Sequence, residues 1–252
     1  MRMLKSDRKY ILIILFLQFV IGIYIGMIRL DPDLLESHAF DVLFFYAREG
    51  IYIDLTSREF DVQVLIGVLD VVISIPLLSC IMNRNYLSKC YYAATRLGNY
   101  KKLYLGETFK NLFICFVSGV IYSLGIAVMA FTSSDKTLYS VNTLSLMTQS
   151  VLAYTLILFM FVQIASIISV LFNEKIGMIV VTAFFIGFTA LIFLLPLNMK
   201  QWDMVSWYFV TVYTEQKEAF YYSPIVYYTF AMVFDCLICF VGYKALKKKD
   251  IL

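Results

Sequence analysis

The amino-acid sequence predicts an all-α integral membrane protein, a single transmembrane domain over residues 1–252 with six membrane helices. Three observations carry that expectation. The chain is 61% hydrophobic and only 15% charged, with a mean hydropathy of +0.79, whereas soluble chains carry about 45–50% apolar and about 25% charged residues. Six stretches are apolar for 20 residues or more, the length a helix needs to cross a hydrocarbon core about 30 Å thick. Basic residues gather in alternate connections between those stretches. Composition thus excludes a soluble enzyme, a disordered regulator and a disulfide-rich secreted domain.

The first stretch, 10–29, follows Arg2, Lys5, Arg8 and Lys9 and so resembles a signal peptide. It is longer than the usual apolar region of about 7–15 residues, and Met27-Ile28-Arg29-Leu30-Asp31 offers no small residues for cleavage. It is therefore expected to remain as a first helix. The other five stretches are 62–82, 111–131, 151–172, 176–197 and 225–246. None alternates with period two, which argues against barrel strands. In lipid the backbone must satisfy its own hydrogen bonds, which leaves helices.

Charge sets the expected orientation. Fifteen basic residues fall on the side that holds both termini, the 83–110 connection and the turn at 173–175, against six on the other side. Segment 30–61, on the sparse side, also carries eight acidic residues. Basic residues stay in the cytoplasm, so both termini are expected there. The net charge of +3 is modest and calls for no nucleic-acid partner.

Three connections have character of their own. In 30–61, Asp31-Pro32 supplies a helix cap and a first-turn proline, and Leu34, Leu35, Val42, Leu43, Phe45 and Tyr46 follow at helical spacing before Gly50. Either a helix packed on the bundle or a solvated connector is compatible with this pattern. In 198–224, Trp202, Val205, Phe209, Val212 and Tyr213 recur at helical spacing. Trp202 and Trp207 suit a membrane interface, so an interfacial or re-entrant helix is expected before the last span. In 83–110, Ser88 can cap a helix that Gly98 closes, and Asn99 can cap a second helix running into the third span. A docking helix and an ordinary basic loop both fit.

Six spans with both ends inside, and a short capped helix in the basic connection between spans 2 and 3, resemble the membrane subunit of an ABC-2-type transporter. The stretch Thr95-Arg96-Leu97-Gly98-Asn99-Tyr100-Lys101-Lys102-Leu103-Tyr104-Leu105-Gly106 resembles the coupling-helix region of small Gram-positive permeases in peptide or bacteriocin export and immunity. The resemblance implies a cytoplasmic ATPase partner that holds ATP and Mg, a second permease subunit, identical or related, and a cell-membrane location. No cofactor is implied in this chain itself. It further implies that Tyr91, Tyr92 and Leu97 form an apolar knob against the ATPase, with Arg96 at its rim and Gly98 at the chain reversal. The long acidic segment 30–61 departs from the shortest members of that family.

Catalytic groups are scarce. His38 is the only histidine, so a two-histidine zinc site is impossible. Neither G-x-S-x-G nor G-x-x-x-x-G-K-[ST] occurs, so energy from ATP would have to enter through another polypeptide. Cys80, Cys90, Cys115, Cys236 and Cys239 lie in spans or on the expected cytoplasmic side and suggest no disulfide framework. Asp70 and Asp235 fall within spans, where a charge costs roughly 2.5–3.5 kcal/mol on insertion scales. Each is read either as a hydrogen-bonded structural group or as part of a substrate path or proton relay. Gln18 and Gln163 are read as helix–helix hydrogen-bonding residues. The pairs Gly22/Gly26 and Ala183/Gly187, four residues apart, can let helices approach closely, within one subunit or between two. Two other classes of function stay open: a membrane sensor or assembly protein that transports nothing, and a proton-driven secondary transporter.

Overall fold

The computed structural model describes residues 5–29, 43–44, 68–82, 100–134, 143–196, 199 and 224–249. These residues form six α-helices and, among them, no strand: α1 Lys5–Arg29, α2 Leu69–Met82, α3 Tyr100–Ser133, α4 Thr143–Leu171, α5 Glu174–Leu194 and α6 Pro224–Lys249. Five of the six, all but α2, are long and apolar enough to cross a membrane. Their outward faces carry exposed Leu12, Phe16, Phe113, Ile179 and Leu237, a surface suited to lipid rather than water. The chain is a multi-pass membrane protein.

The second predicted span is only partly matched. α2 has 14 residues, about 21 Å at 1.5 Å per residue, short of the roughly 30 Å hydrocarbon core. Its first turn opens at Val68, whose carbonyl accepts from Val71 and Val72. Residues 62–67 of the expected span lie outside the described residues.

α3 exceeds its expected span. Its described part runs 34 residues without a break from Tyr100 to Ser133, about 51 Å. Its first turns therefore extend well beyond the expected start at 111. Glu107 and Lys110 pair there at 2.7 Å, three residues apart on one face.

α4 is the centre of the bundle. It packs against α2, α3, α5 and α6. Within its membrane-length stretch 72% of residues are buried, against 22% for α5, which lies at the periphery. Phe161 of α4 meets Phe185 of α5 edge to face at 5.1 Å. Asn173 caps α5 by accepting from the Lys175 amide at 2.8 Å, which turns the chain in two residues.

The residues that meet fix helix direction. Gly22 and Gly26 of α1 meet Tyr122 and Met129 of α3 in the same order, so α1 and α3 run parallel. Tyr104, Val170 and Leu246 cluster together, which joins the start of α3 to the ends of α4 and α6. That side of the bundle also holds Lys101, Lys102, Lys110, Lys175 and Lys244, and we call it the basic side. From the acidic segment 30–61, Leu43 and Phe44 are described; both are helical and both are buried in the main core. At those two residues the segment packs on the bundle, as the packed-helix alternative expects.

Candidate functional site

Two buried aspartates organise the polar interior, and their surroundings differ. Asp70 sits in the first turn of α2, where the helix dipole favours a carboxylate. It is fully buried. Tyr122 of α3 donates its hydroxyl to Asp70 Oδ2 at 2.6 Å. Four residues on, Ser74 donates back to the Asp70 carbonyl at 2.5 Å. Tyr154 of α4 meets Ser74 Oγ at 2.7 Å and reaches Gln18 Oε1 of α1 at 3.2 Å. Gln18 in turn donates from Nε2 to Ser74 Oγ at 3.0 Å. The rings of Tyr122 and Tyr154 stack at 4.6 Å with an interplanar angle of 8°.

Five side chains from α1, α2, α3 and α4 thus form one connected network, all with zero exposure. Such a network is costly to disturb. A buried donor or acceptor that loses its partner costs about 1–3 kcal/mol. Glycine makes the network possible. A Cβ on Gly125 would lie 2.6 Å from the Phe19 carbonyl oxygen and 3.1 Å from the Gly22 Cα. Only glycine at 22 and 125 lets α1 come close enough to α3 for Gln18 to reach Ser74.

Asp235 lies on the buried stripe of α6 formed by Tyr227, Ala231, Asp235, Ile238, Gly242 and Leu246. It is ten residues from Ile225, where the membrane-length stretch of α6 begins, about 15 Å in and so near mid-depth. Its exposure is 5%. Neither carboxylate oxygen has a hydrogen-bond partner among the described residues. Beside it lies Cys115 of α3. One turn either side of Cys115, on the same buried stripe, are Asn111 and Ser118. Asn111 Oδ1 and Ser118 Oγ also lack a partner among the described residues. Gly242 sets the register, since a Cβ there would collide with the Tyr104 hydroxyl and lie 3.1 Å from Ile167 of α4. By that register Gln163 of α4 comes within about one turn of Asp235. Its Nε2 is likewise without a partner among the described residues.

Of the residues read from the sequence, Gln18 makes the expected hydrogen bonds between helices. Gly22 and Gly26 pack on α3 of the same chain, so internal packing accounts for both. Ala183 and Gly187 lie on the exposed face of α5, and nothing comes within 4 Å of a Cβ built at Gly187. Tyr91, Tyr92, Arg96, Leu97 and Gly98 lie outside the described residues, as do Trp202 and Trp207. Sequence reasoning missed Ser74, Tyr122, Tyr154, Asn111 and Ser118. Ser74, one turn after Asp70 on the same helix face, was the available signal for the first site. No group of three or more His, Cys, Asp or Glu able to hold a metal ion occurs among the described residues.

No protein-family model matches the chain, and neither a curated protein nor a solved structure is significantly similar to it.

Proposed function

We propose that the chain is the membrane permease subunit of an ATP-driven transporter of the ABC-2 type. In this reading α2, extended by residues before Val68, completes six spans, and the basic side faces the cytoplasm of a bacterial cell. A separate ATPase subunit would hydrolyse ATP with Mg, and a second permease subunit would complete the path. The exposed Ala183 and Gly187 of α5 offer a face for that subunit, where small residues allow close helix approach. The cargo would be hydrophobic or amphipathic, a peptide by preference, moved outward by alternating access.

One observation carries the proposal: α3 is continuous from Tyr100 to Ser133. Its buried stripe passes Cys115, beside Asp235, and Tyr122, bonded to Asp70. A push delivered to the basic 83–99 segment would therefore reach both buried aspartates through one rigid rod. The chain has no P-loop of its own, so a surface has to receive the work. The 173–175 turn is too short for that. A proton-driven transporter is the second reading, favoured by the partnerless carboxylate of Asp235 at mid-depth.

The test is purification of the tagged full-length chain from its native membrane, followed by ATPase assay of the complex. Expected is a stoichiometric P-loop ATPase whose hydrolysis and transport become uncoupled in the Tyr92→Ala, Arg96→Ala double variant. Recovery of the chain without an ATPase, with proton-dependent flux, would replace this reading with the second one.

A further inference from the structure

We propose that the cleft between α1 and α3 at the basic side binds one anionic phospholipid, with its phosphate on Lys110 and Lys9 and an acyl chain against the apolar walls. Such a site goes beyond the permease reading and does not depend on it.

The cleft forms because α1 and α3 touch closely at one end only. Gly22 and Gly26 of α1 and Gly125 of α3 bring the two backbones together. Toward the basic side α1 has no glycine before Gly22, and side chains hold the helices apart around a cavity of about 280 Å³. Leu12 and Leu15 of α1 line it, with Phe113, Ile114 and Val117 of α3. Lys110, at the end toward the basic side, is the only polar side chain that lines it among the described residues. Ile114 is the buried floor, while Leu12 and Phe113, 67% and 66% exposed, stand at the lipid-facing mouth.

The helix register sets the depth. Gly22 lies against Tyr122 and Gly26 against Met129, so Lys9 stands within about one turn of the level of Lys110. The membrane-length stretch of α1 begins at Lys9, which puts both lysines at headgroup level. Lys9 is three residues before Leu12 and so shares its helix face. Leu12 and Leu15 then lie about 4.5 and about 9 Å deeper, where acyl chains run.

The charges select the class of occupant. Lys110 gives one N–H to Glu107 at 2.7 Å. An ammonium has three donors, which leaves two for phosphate oxygens. Lys9 is exposed. Lys5, Asp7 and Arg8 complete the first turns of α1, and Lys101 and Lys102 those of α3, so the surroundings stay positive. A phosphate headgroup without an amine suits this site, and basic pockets between membrane helices bind such headgroups on the cytoplasmic side. A choline headgroup would bring a further cation against the lysines. A soluble anion would leave the apolar walls unused. A partner helix, about 10 Å across with its side chains, is too wide to enter, while an acyl chain is one methylene thick.

The test is native mass spectrometry of the purified full-length chain, delipidated in detergent and titrated with dioleoylphosphatidylglycerol or dioleoylphosphatidylcholine. Expected is one tightly held phosphatidylglycerol, bound on the order of 25-fold more tightly than phosphatidylcholine, about fivefold for each of Lys9 and Lys110. Lys110→Gln and Lys9→Gln should each lose about fivefold, and Lys110→Arg should keep the preference. Because Lys9 is exposed, Lys9→Gln tests the site even where Lys110→Gln does not fold. Lys175→Gln, at the α4–α5 turn and off the cleft, should change nothing. Glycerol phosphate, which has the phosphate without acyl chains, should not compete even in large excess. Equal binding of the two lipids would overturn the site, as would competition by glycerol phosphate. A preference that Lys175→Gln lowers as much as Lys9→Gln does would also overturn it, since overall charge would then suffice. No ATPase takes part, so these failures leave the permease reading untouched, and failure to find an ATPase leaves the lipid site untouched.

Discussion

Asp70 and Asp235 are the same residue type, both buried in one bundle about two turns apart along α3, and the fold treats them differently. Around Asp70 four helices supply a connected set of hydrogen bonds, two stacked tyrosines and a helix start. Around Asp235 the helices supply burial but no hydrogen bond among the described residues. The contrast teaches that burial alone does not tell a structural carboxylate from a functional one. What tells them apart is that Tyr122 holds one carboxylate oxygen of Asp70, whereas neither oxygen of Asp235 has a hydrogen-bond partner among the described residues. A carboxylate tied into a network stiffens the core, while one that no neighbour holds costs stability.

The largest expected effect comes from cutting into the satisfied side. Asp70→Leu keeps similar bulk but leaves the Tyr122 hydroxyl buried without its acceptor. It should destabilise the bundle by on the order of 3 kcal/mol. That corresponds to a fall of roughly 6–12 °C in the unfolding midpoint. Thermal unfolding of the purified variant in detergent checks this, and an unchanged midpoint would break the comparison at its first term.

A smaller loss is expected from Gly125→Ala, which leaves every polar group in place and moves only the helices. The new methyl would press on the backbone of Phe19 and Ile23, which cannot swing aside as a side chain could. A cost of about 2 kcal/mol follows from overpacking, together with stretching of the Gln18 bonds to α2 and α4. The same substitution at Gly187, where the space is open, should leave the midpoint of the isolated chain within error. Equal effects at the two glycines would show that α1 and α3 do not depend on close approach.

Much of the architecture was legible in the sequence, because apolar length and one-sided charge follow directly from the bilayer. That the helix through the third span extends before its apolar run, from Tyr100 at least, was legible too, since Asn99 offers a cap ahead of it. For the second span the described part, Leu69–Met82, falls within the apolar run at 62–82. The polar sites were half legible. Asp70, Asp235 and Gln18 stand out because charge and amide groups are rare in apolar helices. Tyr122, Tyr154 and Ser74 do not, because tyrosine and serine are common there and their partners come from distant parts of the chain. Ser74 and Tyr154 are 80 residues apart in sequence yet 2.7 Å apart in space. Gly22 and Gly26 carried a real signal of close helix packing, but nothing local says whether the partner helix belongs to the same chain.

The smallest shift is the most telling one, because it has the opposite sign. Asp235→Leu removes a buried carboxylate that no described neighbour satisfies, and replacing such a group by an apolar side chain is often neutral or stabilising. The decisive measurement is the pair of unfolding midpoints for Asp70→Leu and Asp235→Leu, taken in the same detergent in N-methylglucamine buffer. Asp70→Leu should unfold several degrees below the unaltered chain, and Asp235→Leu at the same temperature or up to about 4 °C above it. If Asp235→Leu falls as far as Asp70→Leu, Asp235 is a second structural carboxylate and the division between the two sites is wrong.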